Sequence, residues 1–274
     1  MVELLTEHGL SASRALGQNF VADPNTVRRI ARLAGVGPED RVVEIGAGLG
    51  SLTLALAETG AAVTAVEIDR YLVPVLRSVV APAGVTVVEA DAQRLDWTAL
   101  LGASPKDLHD RPWVLVANLP YNVATPLVLD LLDGVPAIAR MLVMVQKEVG
   151  DRLAAGVGSS AYGAVSVKVA YWARARVVGK VPPTVFVPQP KVESALVSIE
   201  RRAEGPAVAP SLVPASRLFS VVRAGFAHRR KMLRGALSGV VAPGAFEAAG
   251  VAPTARAEEL SVEDWGRLAA VPDA

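Results

Sequence analysis

Arg41-Val42-Val43-Glu44-Ile45-Gly46-Ala47-Gly48-Leu49-Gly50, followed by the stretch from Ser51 to Glu58, decides the fold. The first five residues read as a buried strand, the glycines as a tight turn, and the stretch after them as a helix. Strand, glycine turn and helix make the opening βα unit of a doubly wound α/β fold. In such a unit the turn lets backbone approach a ligand with no Cβ atoms in the way. The glycines are spaced GxGxG, and Ser51 stands where the GxGxxG of dinucleotide binders needs its third glycine, which argues against NAD or FAD. Glu44 precedes the turn, where a carboxylate could face a cationic group of a ligand.

The strands that follow each end on a polar residue. Ala62–Glu67 is the second, and Glu67 lies 21 positions beyond Gly46, the spacing at which an acid binds ribose hydroxyls and disfavours a 2′-phosphate. Val85–Glu89 is the third, followed by Asp91, which could accept from an adenine amino group. Trp113–Ala117 is the fourth, and it hands over to Asn118-Leu119-Pro120-Tyr121. The Asn118 side-chain oxygen and the Leu119 carbonyl can each accept one hydrogen of an exocyclic amine. Pro120 stiffens the turn, and Tyr121 offers a face for stacking. A helix from Thr125-Pro126, a fifth strand over 140–145, a helix over 163–172 and strands over 176–181 and 194–200 complete the pattern. Between the last two strands a proline-dense stretch, 182–192, reads as a stiff loop that presents Phe186. Upstream, residues 11–22 show no period and read as a solvated arm. Asp23-Pro24 then starts a helix that Gly35-Val36-Gly37-Pro38 stops.

The chain has 274 residues, 51% of them hydrophobic, enough for one large domain and one small one. Lys and Arg number 28 against 27 Asp and Glu, so a polyanion surface must come from uneven distribution. The unevenness is there: from Gly205 to Phe246 there is no acid, yet Arg217, Arg223, Arg229, Arg230, Lys231 and Arg234 occur. Leu218, Val222 and Phe226 keep helical spacing among them, which points to a polyanion contact on amphipathic helices. With a linker over 204–210, the expected domains are 1–204 and 205–274. The absence of cysteine excludes thiolate metal sites, disulfides and a Cys nucleophile. His8, His109 and His228 have no metal-site spacing, so no metal is expected. The start of the chain lacks a basic region followed by an apolar core, and no apolar run has transmembrane length, so a soluble cytoplasmic protein is expected.

Five stretches in order resemble one family. They are Leu16-Gly17-Gln18-Asn19-Phe20, Glu44 to Thr53, Asn118 to Pro126, Phe186 to Ser194, and Phe226 to Arg234. Together they resemble the KsgA/RsmA type of ribosomal RNA adenine dimethyltransferase over almost the whole chain. The resemblance implies a Rossmann-like, seven-stranded class I methyltransferase domain with a small α-helical C-terminal domain. Its cofactor would be S-adenosyl-L-methionine, lined by Gln18, Asn19, Val21, Gly46, Gly48, Glu67, Asp91 and Asn118. Asn118, Leu119 and Tyr121, with Phe186 on the other face, would hold the target base. Arg223, Arg229, Arg230, Lys231 and Arg234 would contact RNA. The implied reaction is N6,N6-dimethylation of two adjacent adenines in the 3′-terminal hairpin of 16S rRNA, by a monomer acting on the pre-30S particle late in assembly. Val21 departs from the family's usual Leu, and His228 from a usual Gln or other polar residue. The rivals are the related large-subunit RNA methyltransferase of macrolide resistance, an RNA-binding assembly factor and, more remotely, a dinucleotide oxidoreductase. Ala124-Thr125-Pro126 and the Phe186–Pro190 loop favour the small-subunit branch.

Overall fold

A computed structural model describes residues 2–13, 15–102 and 111–272; Arg14 in the period-free segment and His109 lie outside the described residues. The strands are β1 (Phe20–Val21), β2 (Arg41–Ile45), β3 (Ala62–Glu67), β4 (Thr86–Glu89), β5 (Trp113–Asn118), β6 (Ile138–Gln146), β7 (Ala173–Val181), β8 (Phe186–Val187) and β9 (Ser194–Arg201). Seven of them form one sheet in the order β4-β3-β2-β5-β6-β9-β7, and β1 pairs with β8 alone. The five strands from β4 to β6 run parallel, and β9 runs antiparallel to β6. Val42, Val43, Leu115 and Val116 are completely buried, as expected of central parallel strands covered on both faces. In register, Ile45 pairs with Val66 and with Ala117, and Glu67 pairs with Glu89. Gly46, Glu67, Asp91 and Asn118 therefore all leave the sheet at its carboxyl edge, where α/β folds bind ligands.

The first expected helix forms over Pro24–Ala34. Asp23 caps it by accepting from the Thr26 backbone N–H at 2.9 Å, and Val27, Ile30, Ala31 and Ala34 are its buried stripe. The segment ahead of it is not a solvated arm. Phe20 and Val21 are buried and pair antiparallel with Val187 and Phe186, so residues 15–21 form a strap clamped at its end. Two-residue strands are too short to show a period in sequence.

The chain divides into two compact units, residues 1–150 with 177–200 and residues 151–176 with 201–274. The expected boundary at 204/205 thus needs correction, because residues 151–176 group with the C-terminal residues. Their large side chains explain this: Tyr162, Val167 and Tyr171 share one core with Val208, Leu218, Phe219 and the fully buried Trp265. The Tyr162 hydroxyl donates to the Leu260 carbonyl at 2.9 Å, and the Tyr171 and Phe219 rings meet edge-on at 5.1 Å. Among the described residues, helices Ala215–Ala227, Leu233–Ala236, Ala245–Ala248 and Val262–Ala270 lie in this unit, as the amphipathic pattern predicts. No helix among the described residues is long and apolar enough to cross a membrane.

Candidate active site

The glycine turn, the strap and the Asn118–Tyr121 turn wall one cleft at the carboxyl edge of the sheet. Gly46 and Gly48 adopt positive φ angles, 74° and 59°, and a Cβ on Gly48 would come within 2.9 Å of the Phe20 ring. Only glycine fits both the backbone conformation and the space under the strap. Glu67 braces the turn: one carboxylate oxygen accepts from Gly48 N–H at 2.7 Å, the other from Asp69 N–H at 2.9 Å. Burial raises its pKa, against the pull of those two N–H donors. A carboxylate has about four acceptor positions, so capacity remains for a ligand hydroxyl.

The inner part of the cleft, about 510 Å³, is lined by Leu16, Gly17, Gln18, Asn19, Phe20, Gly46, Gly48, Glu67 and the turn from Asn118 to Tyr121. An outer part of about 690 Å³ shares Leu16, Gly46, Ile68 and Pro120 with it and adds Ile45, Val66, Val123 and Asp91. Apolar walls with one acid at the edge suit a flat heteroaromatic ring bearing an amine. The Asp91 carboxylate already accepts from Gln93 N–H at 2.9 Å, which fixes its direction.

Asn118, Leu119 and Tyr121 are each held by a separate contact. Leu119 N–H donates to the Met144 carbonyl on β6 at 3.0 Å, and the Asn118 side-chain Nδ2 donates to the Asn19 carbonyl at 2.8 Å. The half-buried Tyr121 shares a 2.9 Å hydroxyl hydrogen bond with Ser194, itself completely buried at the start of β9. Burial raises the Tyr121 phenol pKa, so it stays a neutral stacking face. Tyr121→Phe and Ser194→Ala should each lower methyl transfer modestly, about three- to tenfold for one lost hydrogen bond. Combined, they should lower it no further. Additive losses in turnover assays would mean that Ser194 does not act through the Tyr121 ring.

Three expectations need correction. Phe186 does not line the cleft: it is 3% exposed and packs in the core with Val21, Val27, Ile30 and Leu196. Proline density fixed the loop, but β8 pairing turns this ring inward. Val21 belongs to the same core, and the neighbouring Phe20 lines the cleft instead. Glu44 faces no ligand group; it is 2% exposed and lines neither part of the cleft. Burial pushes its carboxyl up to about 8, which the adjacent Thr53 hydroxyl, pulling the other way, does not offset.

Residues 9–272 match the sequence profile of the family described as ribosomal RNA adenine dimethylase. The chain belongs to this family. A ribosomal RNA small subunit methyltransferase A from Streptomyces coelicolor is 48% identical over 97% of this chain and 93% of that protein. One from Cutibacterium acnes is 50% identical over 95% of this chain and 88% of that protein. Among solved structures, 23S rRNA methyltransferase ErmE is similar at a TM-score of 0.68 and 28% identity, covering 92% of this chain and 98% of its own. A dimethyladenosine transferase from Plasmodium falciparum shares the fold at a TM-score of 0.75 and 23% identity, over 91% and 95%.

In this member of the adenine dimethylase family, the cleft brings together Gln18, Asn19, Gly46, Gly48, Glu67, Asp91, Asn118, Leu119 and Tyr121. Sequence reasoning missed Ser194 and Asp69. Asp69 accepts from the Gln18 side-chain Nε2 at 2.9 Å, and nothing but its place two residues after Glu67 marks it in the sequence. In the C-terminal unit, Arg223, Arg230, Lys231 and Arg234 are exposed. Arg229 is tied down: it donates to the Ser160 carbonyl at 2.8 Å and lies 3.5 Å from the Glu258 carboxylate.

Proposed function

We propose that this chain transfers methyl groups from S-adenosyl-L-methionine to the N6 atoms of two adjacent adenines in the 3′-terminal hairpin of 16S rRNA. We place the reaction in the cytoplasm, on the pre-30S particle late in small-subunit assembly. The observation that carries this reading is the Asn118-Leu119-Pro120-Tyr121 turn, opening into the same cleft as Gly46, Gly48 and Glu67. The cofactor's fit rests on three features. The turn carries Gly46 and Gly48 at positive φ, with no space for a Cβ on Gly48, Glu67 lies at the end of β3 for ribose hydroxyls, and Asp91 sits beside an apolar slot. When bound, it supplies an activated methyl group on a good leaving sulfur.

The rest is the work of the chain. An adenine N6 lone pair is delocalised into the ring and is a poor nucleophile. The Asn118 oxygen and the Leu119 carbonyl, accepting from its two hydrogens, favour a pyramidal nitrogen with the lone pair free. Tyr121 stacks on the base once it has left its helix. Alignment of this kind contributes on the order of 7–11 kcal/mol, so no strong general base is needed. After one transfer a single N6 hydrogen remains, and one acceptor suffices for the second. The names of the relatives at 48–50% identity favour the small-subunit substrate over the large-subunit substrate named for ErmE, at 28%.

The test is methyl transfer from labelled cofactor to small-subunit particles lacking these modifications, with mass mapping of the RNA. Label in dimethyladenine at the two hairpin adenines is the expected result. Label elsewhere, or none while the cofactor binds, would reject it. For the basic patch, replacing Arg230 and Lys231 by Ala should weaken particle binding and flatten its salt dependence by roughly 0.7–0.9 per lost phosphate contact. Arg229→Ala should instead lower the melting temperature, because it removes the contacts to Ser160 and Glu258. An unchanged salt slope in the double variant would make the patch a solvated face.

A further inference from the structure

We propose that the backbone carbonyl of Asn19 is a positioning group for methyl transfer, orienting the Asn118 amide only while the strap over residues 15–21 is seated. The inference rests on the reading of Asn118 as an acceptor for an adenine N6 hydrogen. A carbonyl oxygen can only accept, so the Asn118 atom 2.8 Å from Asn19 O must be the amide nitrogen. The opposite rotamer would set two oxygen lone pairs against each other. With Nδ2 so committed, Oδ1 is left as the acceptor for the substrate. An amide not held in this way would offer its NH2 to the target amine in half of its orientations, donor against donor.

The carbonyl doing this belongs to the strap, and the strap is held on both sides of Asn19. Ahead of it, the Gln18 side chain donates to Asp69 at 2.9 Å. Behind it, Phe20 lies against Gly48, and Phe20 and Val21 pair with Val187 and Phe186. The same strap residues wall the inner cleft. Enclosing the cofactor and aiming the Asn118 oxygen are therefore one structural event, and a displaced strap leaves the acceptor unaimed. Asp69 lines neither part of the cleft, so it offers a way to unseat the strap from outside.

Two substitutions test this. Asn118→Asp keeps an acceptor for the N6 hydrogen but has no donor for Asn19. If Asn118 were an acceptor alone, turnover would stay within about threefold of the parent. The proposal expects kcat to fall about a hundredfold with KM for the RNA particle unchanged. Asp69→Ala should lower kcat in the same sense, and Asp69→Asn, which keeps an acceptor for Gln18, should restore it. Should Asn118→Asp fail to fold, Asp69→Ala decides alone. Isotope-edited NMR of the Asn118 side-chain amide reads the contact without any turnover: its hydrogen exchange should be slow in the parent and fast in Asp69→Ala. Near-parental kcat in both variants with unchanged exchange would overturn the proposal. A parent that protects this amide yet methylates no adenine N6 would overturn the substrate reading and still support the contact.

Discussion

Asn118→Ala is expected to remove methyl transfer, on the order of 10²–10³-fold in kcat, while particle binding stays near the parental value. The loss should be this large because one side chain supplies two things: the acceptor for the N6 hydrogen and the bond that holds the turn to Asn19. Binding should survive because the exposed charges proposed to contact the RNA, Arg223, Arg230, Lys231 and Arg234, belong to the other unit. Labelled-methyl transfer and filter binding on one preparation measure both. If binding fell together with transfer, the turn would belong to the docking surface, and the separation of chemistry from recognition would fail.

Glu44→Gln should change stability most, and in a pH-dependent way. In the folded chain its carboxyl is pushed up to about 8, whereas an unfolded chain has the ordinary value of 4.5. Between these values the folded state keeps a proton that the unfolded state has released, so stability falls as pH rises through this window. Below it, both states are protonated and the contribution is fully present. Each tenfold change in proton affinity is worth about 1.4 kcal/mol, so the loss across the window is on the order of 5 kcal/mol. Gln mimics the protonated acid in shape and cannot ionise. The variant should therefore be the more stable protein near pH 8 and show a flatter profile, with a residual slope of the same sign from Glu67, whose pKa burial also raises. Urea denaturation from about pH 5 to pH 8 compares the two. Parallel profiles would mean that Glu44 is ionised in the fold.

Most of the catalytic unit was legible because its strands are continuous apolar runs and its turn glycines sit where a βα unit needs them. The errors have physical sources. β2 is covered on both faces, so Val43, Glu44 and Ile45 are all buried and alternation could not tell which way Glu44 points. β1 and β8 are two residues each, and only their pairing reveals that the strap is clamped and that Phe186 turns inward. The uneven charge between Gly205 and Phe246 was real, but Glu258 lies beyond that window and returns to Arg229 in space. The expected residues from Gly46 to Asn118 come together in the cleft because they are tied to strand ends, where sequence order and position in space coincide. Ser194 and Asp69 act through contacts between distant segments, which no local pattern records.

The grouping of residues 151–176 with the C-terminal chain bears on modularity. The chain leaves its first unit after residue 150, returns for residues 177–200 and leaves again, so the second unit is assembled from two separated segments. No single cut separates the two. A chain ending at residue 204 would retain Tyr162, Val167 and Tyr171 but lose Trp265 and Phe219, their partners in a common core. It would present those apolar side chains to water and to other molecules. An exchange of C-terminal units between relatives must therefore carry an internal cassette together with the tail.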